Sequence, residues 1–265
     1  MDQFIQVKGK KLLDTFLHDY KTILNVDDTF LETTKQYIKS NERFDYLTEL
    51  WYERLDQNDI DGAYEVYSDE HYLTDQFNCF RVYARQYLLK LTRPTKIISE
   101  PLYKIIADAS CVVDVGNGIG YSTAILSQFW PYKPTYGTNL PGTDQWKFAT
   151  EMGKRYYFNM VDDVVEIPER GGLVFASEYF EHFQKPIEHL EHIVDALEPK
   201  YFLIANAFNT WSIGHFKEYE VNGEIIPQDK ISRMFNKRLK ELGYIKENVG
   251  FFNSKPNFWK KEVYI

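Results

Sequence analysis

Cysteines, long apolar runs and basic residues are scarce in this chain. Its 265 residues include 2 cysteines, Cys79 and Cys111, and neither belongs to a C-x-x-C motif. This spacing argues against a zinc knuckle and against a disulfide framework. No apolar run approaches the ~18 residues of a membrane span, and the N-terminus lacks the apolar block of a signal peptide. We therefore expect a cytoplasmic protein with no membrane partner.

Positive charge is in deficit. The chain carries 31 Lys and Arg against 39 Asp and Glu, a formal net charge of -8. Proteins that bind DNA or RNA gain most of their affinity by neutralising phosphates. The acidity does not exclude a local basic patch, but it favours a small-molecule partner over a nucleic acid.

The texture of the sequence changes near residue 96. The first 95 residues hold only two glycines, Gly9 and Gly62, and apolar residues at helical spacing predict helices over 11–24, 44–55 and 77–91. The proline-containing passage TRPTKIISEP follows, and after it short β-rich runs alternate with helical stretches. We predict a helical cap or substrate lid over residues 1–95 and a core domain over 96–265.

Alternating strands and helices make up the predicted core. This alternation is typical of a mostly parallel sheet with helices on both faces. The predicted strands are 112–115, 134–140, 155–160, 172–177 and 201–206, with two final runs at 244–252 and 258–265. The predicted helices are 123–129, 144–154, 187–197 and 228–242, the last ending at Gly243.

The stretch CVVDVGNGIGYSTAIL, residues 111–126, combines an apolar strand with a glycine turn and a helix. Gly116, Gly118 and Gly120 allow unusual backbone angles and the close approach of a ligand. The dinucleotide fingerprint is G-x-G-x-x-G, whereas here Tyr121 stands in the place of the third glycine. Asp114, just before the turn, would repel a phosphate but attract a cation.

This D-x-G-x-G-x-G segment resembles motif I of the class I S-adenosylmethionine (SAM)-dependent methyltransferases, and the likeness to their small-molecule branch extends over residues ~96–265. The resemblance implies a Rossmann-like doubly wound α/β sheet of seven strands with the last antiparallel, and SAM as the cofactor. It implies that Asp114 helps to hold the ammonium group of SAM. The implied cofactor-binding residues are Asp114, Gly116, Asn117, Gly118, Gly120, Tyr121, Asn139, Leu140, Asp162, Asp163, Ser177 and Glu178.

Three of these positions have specific expected roles. Asn139 ends the second strand, where the family usually has an acid that binds the ribose hydroxyls. Asp163, with Asp162 as the alternate, matches the acid that contacts adenine, although a solvated acidic loop would look the same. Ser177 and Glu178 end the fourth strand and would face the reactive methyl group together with Tyr179, which is either a catalytic group or a packing aromatic.

The segment after the fifth strand, residues 206–223, is the expected substrate lip. We predict that Asn209, Trp211 and Tyr219 bind substrate there. His215 is the first candidate for a general base, because an unperturbed histidine titrates near pH ~6.5. A hydrogen bond from His215 to the loop backbone is the alternative.

No metal site is expected. His182, His189 and His192 lie among glutamates in EHFQKPIEHLEH, but no H-E-x-x-H motif is present and a proline turn interrupts the spacing. A polar helix face explains the pattern better.

Methyl transfer by in-line displacement to an O or N atom of a small molecule is the function that the resemblance implies. The [DN]-P-P-[YF] signature of DNA amino-methyltransferases is absent, since SEYF follows the fourth strand. A nucleic-acid or nucleotide-modifying methyltransferase and an inactive methyltransferase-like binding protein remain as alternatives. The aromatic-rich helices could form a homodimer face or simply a core.

Overall fold

A seven-stranded sheet forms the centre of the computed structural model, which describes residues 2–5, 9–251 and 255–262. The strand order is β3-β2-β1-β4-β5-β9-β8, and all strands run parallel except β9, which is antiparallel to both of its neighbours. The predicted Rossmann-like fold is confirmed. The strands are β1 Val112–Val115, β2 Thr135–Thr138, β3 Asn159–Val161, β4 Leu173–Ser177, β5 Tyr201–Ala205, β8 Tyr244–Glu247 and β9 Asn257–Lys261.

Both faces of this sheet are buried. Val112, Leu173 and Tyr201 are neighbours across β1, β4 and β5 and belong to the hydrophobic cluster on one face. The residue that follows each of them belongs to the cluster on the other face. Successive side chains of a strand point to opposite faces, so continuous apolar runs such as VVDV and LVFA suit a sheet covered on both sides.

The helices of the core cover these two faces. They are α8 Leu102–Ile105, α9 Tyr121–Phe129, α10 Asp144–Tyr156, α11 Pro186–Leu197 and α12 Gln228–Glu241. The side chain of Thr143 caps α10 by accepting a hydrogen bond from the Trp146 amide, and α11 begins at a proline in its first turn. Both are favourable helix starts.

Two predicted boundaries differ from the structure. The strand predicted over 155–160 is only Asn159–Val161, because α10 extends to Tyr156 and ends at Tyr157 in the left-handed conformation. The predicted substrate lip contains β6 Glu218–Val221, which pairs with β7 Glu224–Pro227 as an antiparallel hairpin. Asn222 and Gly223 between them both have positive φ, which is typical of a two-residue hairpin turn.

The N-terminal region is helical, as predicted, but has more helices than expected. They are α1 Asp2–Ile5, α2 Gly9–Leu24, α3 Asp28–Ser40, α4 Glu42–Asp56, α5 Ile60–Tyr64, α6 Tyr72–Cys79 and α7 Arg85–Leu91. A π-helical turn, Phe80–Ala84, joins α6 to α7. Because π turns mark local widening of a helix, often at functional sites, this junction is relevant to the site below.

The N-terminal helices reach both faces of the sheet. Phe16 and Tyr20 of α2 belong to the same hydrophobic cluster as α9, whereas Trp51 of α4 belongs to the opposite cluster. The indole NH of Trp51 donates to the carbonyl of His215 at 2.7 Å. The N-terminal region therefore packs against both faces of the sheet. Within the described ranges, no helix is both long and apolar enough to cross a bilayer.

A buried carboxylate fastens α2 to the core. Asp19 accepts from the Tyr121 hydroxyl at 2.7 Å and from the Arg155 guanidinium at 2.6 Å. Hydrogen bonds to a charged partner contribute ~1.5–3 kcal/mol. Tyr121→Phe leaves Asp19 with one buried donor fewer, so we expect the free energy of unfolding to fall by about 2 kcal/mol.

Chemical denaturation measures this change. Tyr132→Phe is the matched control, because the Tyr132 side chain is 98% exposed and its hydroxyl is hydrated in the folded and unfolded states alike. Equal stability of the two variants would contradict the role assigned to the Tyr121–Asp19 hydrogen bond.

Candidate functional site

A cavity of about 710 Å³ opens at the carboxyl ends of β1, β2, β4 and β5. Its floor is the glycine turn after β1, and its opposite wall is formed by α6 and the π-helical turn. Ligand sites commonly measure ~300–1,000 Å³. Ligands of doubly wound sheets bind where the strand order reverses, which here is between β1 and β4.

The glycine turn has the predicted conformation at all three positions. Gly116, Gly118 and Gly120 have φ of 66°, 54° and 76°. A Cβ atom on Gly116 would lie 2.2 Å from the ring of Tyr179, and one on Gly118 would lie 2.3 Å from the Gln76 side chain. Gly120 does not line the cavity; there the missing side chain allows α10 to approach, since a Cβ would lie 3.1 Å from Cα of Ala149.

Asp114 lies beneath this turn and lines the cavity. Its side chain is 2% exposed, and one carboxylate oxygen accepts from the hydroxyls of Ser122 and Thr123, both at 2.7 Å. Burial raises the pKa of Asp114 to about 7, against which these two hydrogen bonds act. A cation at the cavity floor would favour its ionised form.

A chain of hydrogen bonds joins Asp114 to Asn139. The Asn139 amide donates to Oδ1 of Asn117 at 3.2 Å, and Nδ2 of Asn117 donates to the hydroxyl of Thr123 at 3.0 Å. Thr123 donates in turn to Asp114. The Asn139 amide also donates to the carbonyl of Gly118 at 2.6 Å. An asparagine therefore holds the ends of β1 and β2 together, and its carbonyl oxygen faces the amide of Leu140.

The acidic loop after β3 lines the same cavity. Asp163 caps a short 3₁₀ turn by accepting from the amide of Val165, and it also contacts the His192 ring at 2.8 Å. These interactions lower the pKa of Asp163 against the opposing effect of partial burial. Asp162, Asp163 and Leu140 all lie on the cavity wall and are exposed.

Ser177, Glu178 and Tyr179 line the cavity at the end of β4. Glu178 has a φ of 50°, a left-handed conformation that is uncommon for a residue other than glycine. Its carboxylate accepts from the Tyr87 hydroxyl at 3.1 Å. The Tyr179 hydroxyl contacts Nε2 of His189 at 2.8 Å, and its ring lies against Gly116.

His215 lines the cavity, but as a neutral side chain. Burial lowers its pKa to about 4, and its Nδ1 lies 3.0 Å from the carbonyl of Thr210, to which the neutral ring donates. His215 therefore bonds to the loop backbone, which is the alternative to the predicted general base. Such an imidazole is a weak base at neutral pH.

The other three residues of the predicted substrate lip lie away from the cavity. The Trp211 ring is 60% exposed and stacks on Tyr52 with ring centroids 3.4 Å apart. Tyr219 is fully buried in β6, where its hydroxyl donates to the carbonyl of Glu181. Asn209 is exposed and is not among the lining residues. The β6–β7 hairpin explains the position of Tyr219, because it turns this part of the predicted loop into packed structure.

Each histidine of the EHFQKPIEHLEH segment has a separate partner. His182 contacts the Tyr67 hydroxyl at 3.0 Å, while His189 contacts Tyr179 and His192 contacts Asp163. Among the residues that the structure describes, no group of three or more His, Cys, Asp or Glu side chains is arranged to hold a metal ion.

Several lining residues lie outside the predicted site residues; all but Lys255 come from the predicted cap or substrate lid over residues 1–95. They are Tyr64, Tyr67, Tyr72, Asp75, Gln76, Cys79, Phe80, Tyr83 and Lys255. Asp75 lies between Tyr72 and Cys79 at helical spacing, a pattern that indicates an amphipathic helix but does not by itself indicate a site.

The chain has limited structural similarity to several solved methyltransferases. Neither a protein-family model nor a curated protein sequence matches the chain. Among solved structures, magnesium protoporphyrin IX methyltransferase from Synechocystis PCC 6803 with bound SAH is 11% identical with a TM-score of 0.44, over 61% of this chain and 78% of that one. The mitomycin 7-O-methyltransferase MmcR is 12% identical with a TM-score of 0.44, over 75% and 59%. DesVI from Streptomyces venezuelae is 11% identical with a TM-score of 0.45, over 72% and 97%.

The raised pKa of Asp114 predicts that this residue lowers the free energy of unfolding in a pH-dependent way. The folded protein keeps this proton up to about pH 7, whereas the unfolded chain releases it near the ordinary value of 3.8. The Asp114 contribution therefore destabilises the fold increasingly between these values, at up to ~1.4 kcal/mol per pH unit. We expect Asp114→Asn to gain stability relative to the native protein as the pH rises from 4 to 7.

Urea denaturation of both proteins across this range measures the difference. His182, His189 and His215, whose pKa values burial lowers, contribute with the opposite sign but equally in both proteins. A difference in stability that stays constant with pH would show that the Asp114 carboxyl is not protonated in the folded state.

The geometry at Asn139 predicts that an acid is not tolerated there. Asn139→Asp would place a carboxylate oxygen against the Gly118 carbonyl, which now accepts from the amide at 2.6 Å. We expect a loss of ~1–3 kcal/mol in the free energy of unfolding, because the half-buried carboxylate would be repelled by the carbonyl and would leave it without its donor. Asn209→Asp, at an exposed site, is the control in the same denaturation experiment, and equal losses would disprove the linkage.

Proposed function

We propose that this chain is a SAM-dependent methyltransferase that transfers a methyl group to an O or N atom of a small-molecule acceptor. The observation that carries the proposal is the buried carboxylate of Asp114 at the base of a positive-φ glycine turn, on the floor of a large cavity. A carboxylate is an unfavourable group beside a phosphate but a suitable partner for the ammonium group of SAM.

The residues around the turn fit this cofactor. The absence of side chains at Gly116 and Gly118 lets the Tyr179 ring and the Gln76 side chain approach the turn, so that these two groups would border the methionine portion. One oxygen of Asp114 already has its donors in Ser122 and Thr123. We propose that Asn139 and Leu140 bind the ribose and that Asp162 or Asp163 binds the adenine amino group. Ser177, Glu178 and Tyr179 would then border the acceptor.

When bound, SAM would supply a methyl carbon to which the acceptor forms a bond as the carbon–sulfur bond breaks, leaving a neutral thioether. The task of the chain is to position the acceptor and exclude water, which together supply much of the rate acceleration. Residues 1–95 are proposed as the cap for this purpose, over a methyltransferase core of residues 96–265, since α6 and the π-helical turn form the wall facing the glycine turn.

A polynucleotide acceptor has less support. The acceptor side of the cavity carries Asp75 and Glu178, and the net charge of the chain is -8. Acids at the entry to a site repel phosphates. A small molecule is therefore the proposed acceptor, and the inactive binding protein is the alternative that an activity assay excludes.

Calorimetric titration with SAM tests the proposal. We expect the native chain to bind SAM and Asp114→Asn to bind it at least tenfold more weakly, because a charge-assisted hydrogen bond of ~1.5–3 kcal/mol is lost. Asp14→Asn, at an exposed position of α2, should bind as the native chain does. If the native chain shows no binding, or if Asp114→Asn binds equally well, the proposed cofactor site is wrong.

A further inference from the structure

The acceptor side of the cavity contains a carboxyl group with little compensation. Asp75 lines the cavity, is 8% exposed, and the donor found for it among the described residues is the Cys79 thiol at 3.8 and 3.9 Å. A thiol is a weak donor, and burial raises the pKa of Asp75 to about 7. A carboxyl group in this position lacks the strong partner that buried acids normally have.

Two further carboxyl groups lie at the end of β4. Glu178 lines the cavity, and the fully buried Glu181 contributes to the raised pKa of its neighbours. Oε1 of Glu181 accepts from the amide of Ala207 at 2.7 Å, and the Glu181 carboxyl also lies within hydrogen-bonding reach of the Glu178 carboxyl, so that the two groups can share one proton. Burial and the charge of Glu178 raise the pKa of Glu181 to about 8, and burial also raises that of Glu178.

The cationic groups nearby do not balance these acids. Lys255 lines the cavity and lowers the pKa of both glutamates. Burial lowers the pKa of His182 to about 3 and that of His215 to about 4, so both rings are neutral. Asp75 and Glu178 line the cavity, where Lys255 is the one lysine or arginine among the described lining residues, so a further cation would stabilise the ionised form of these carboxyl groups.

Tyrosine rings surround the same space. The five that line the cavity besides Tyr121 are Tyr64, Tyr67, Tyr72, Tyr83 and Tyr179. The hydroxyls of Tyr67 and Tyr64 bond to His182, and that of Tyr72 accepts from Gln76. These rings contribute apolar surface to the cavity lining, which can also contact a cation. Aromatic rings attract an ammonium group by ~0.5–2 kcal/mol each.

We infer that the acceptor is a small organic amine, bound as its ammonium between the tyrosine rings and the carboxylates of Asp75 and Glu178. This inference rests on the proposed function and specifies its acceptor as nitrogen. An alcohol would leave the acids without a counter-charge, and a carboxylic acid would be repelled by them.

Glu178 has the position of the proton acceptor. An ammonium nitrogen has no lone pair until one N–H bond breaks, and that proton would pass to the Glu178 carboxylate as an O–H bond forms. The nitrogen lone pair is then free to receive the methyl group. The methylated product departs as an ammonium, and the proton on Glu178 returns to water, so that charge and atoms balance. A carboxyl whose pKa lies above its ordinary range is suited to hold this proton.

Binding of matched probes in the absence of SAM tests the inference. We expect 2-phenylethylamine, which is an ammonium at neutral pH, to bind at least tenfold more tightly than 2-phenylethanol or 3-phenylpropanoate in calorimetric titrations. Its binding enthalpy should differ between phosphate and Tris buffers, because the cation displaces a proton from the carboxyl cluster. Equal or tighter binding of the alcohol or the acid would overturn the inference, and so would an enthalpy independent of the buffer.

Isosteric variants locate the site. Glu178→Gln and Asp75→Asn should each weaken 2-phenylethylamine binding at least fivefold, whereas the exposed controls Glu49→Gln and Asp14→Asn should not. Circular dichroism establishes that the variants are folded, and the comparison of probes on the native chain needs no variant. Unchanged affinity in both cavity variants would contradict the assignment.

SAM titration of the same protein separates the two proposals. Binding of SAM without selectivity for the amine would overturn the inference alone. Selective binding of the amine without any binding of SAM would overturn the proposed function, and with it the assignment of the amine as a methyl acceptor.

Discussion

The relay of hydrogen bonds from Asn139 through Asn117 and Thr123 to Asp114 is the constraint on which the site depends. It joins the carboxyl ends of two neighbouring strands to the first turn of α9. Each member both gives and receives where its chemistry allows, and buried networks of this kind are rigid when every member is satisfied. The glycine turn adopts three positive φ angles because glycine has no Cβ atom, and the relay holds the strand ends on either side of it together.

The second constraint is electrostatic and concerns the opposite wall. Asp75 on that wall and the glutamates after β4 are buried near tyrosine rings, and burial disfavours the charged form of an acid. Nothing in the hydrophobic clusters requires acids at these positions, since apolar side chains of similar size would cover the same surface at lower cost. A cationic ligand that restores the charge balance would account for this cost in folding free energy.

The sequence predicts the core well because its signals are local. Continuous apolar runs reveal strands buried on both faces, and the glycine spacing with Asp114 identifies the turn without knowledge of any distant residue. The acceptor side could not be predicted in the same way. Asp75 belongs to an ordinary amphipathic helix, and only tertiary packing brings it opposite Glu178. Trp211 lies between the lining residues Thr210 and Ser212 in the sequence. Its ring nevertheless stacks on Tyr52 of α4 and does not line the cavity. The Asn222–Gly223 turn was visible in the sequence, but its consequence for Tyr219 depends on the hairpin it forms.

The two walls of the cavity come from separate parts of the chain. Most of the residues proposed to bind the cofactor follow the strand ends of the core, whereas the lining residues from Tyr64 to Ala84 come from one contiguous stretch. Substitutions confined to that stretch would therefore change the acceptor-facing lining while the glycine turn above Asp114 and its hydrogen bonds stay intact. In this architecture the choice of acceptor and the retention of the cofactor are separable under selection, and equally under design.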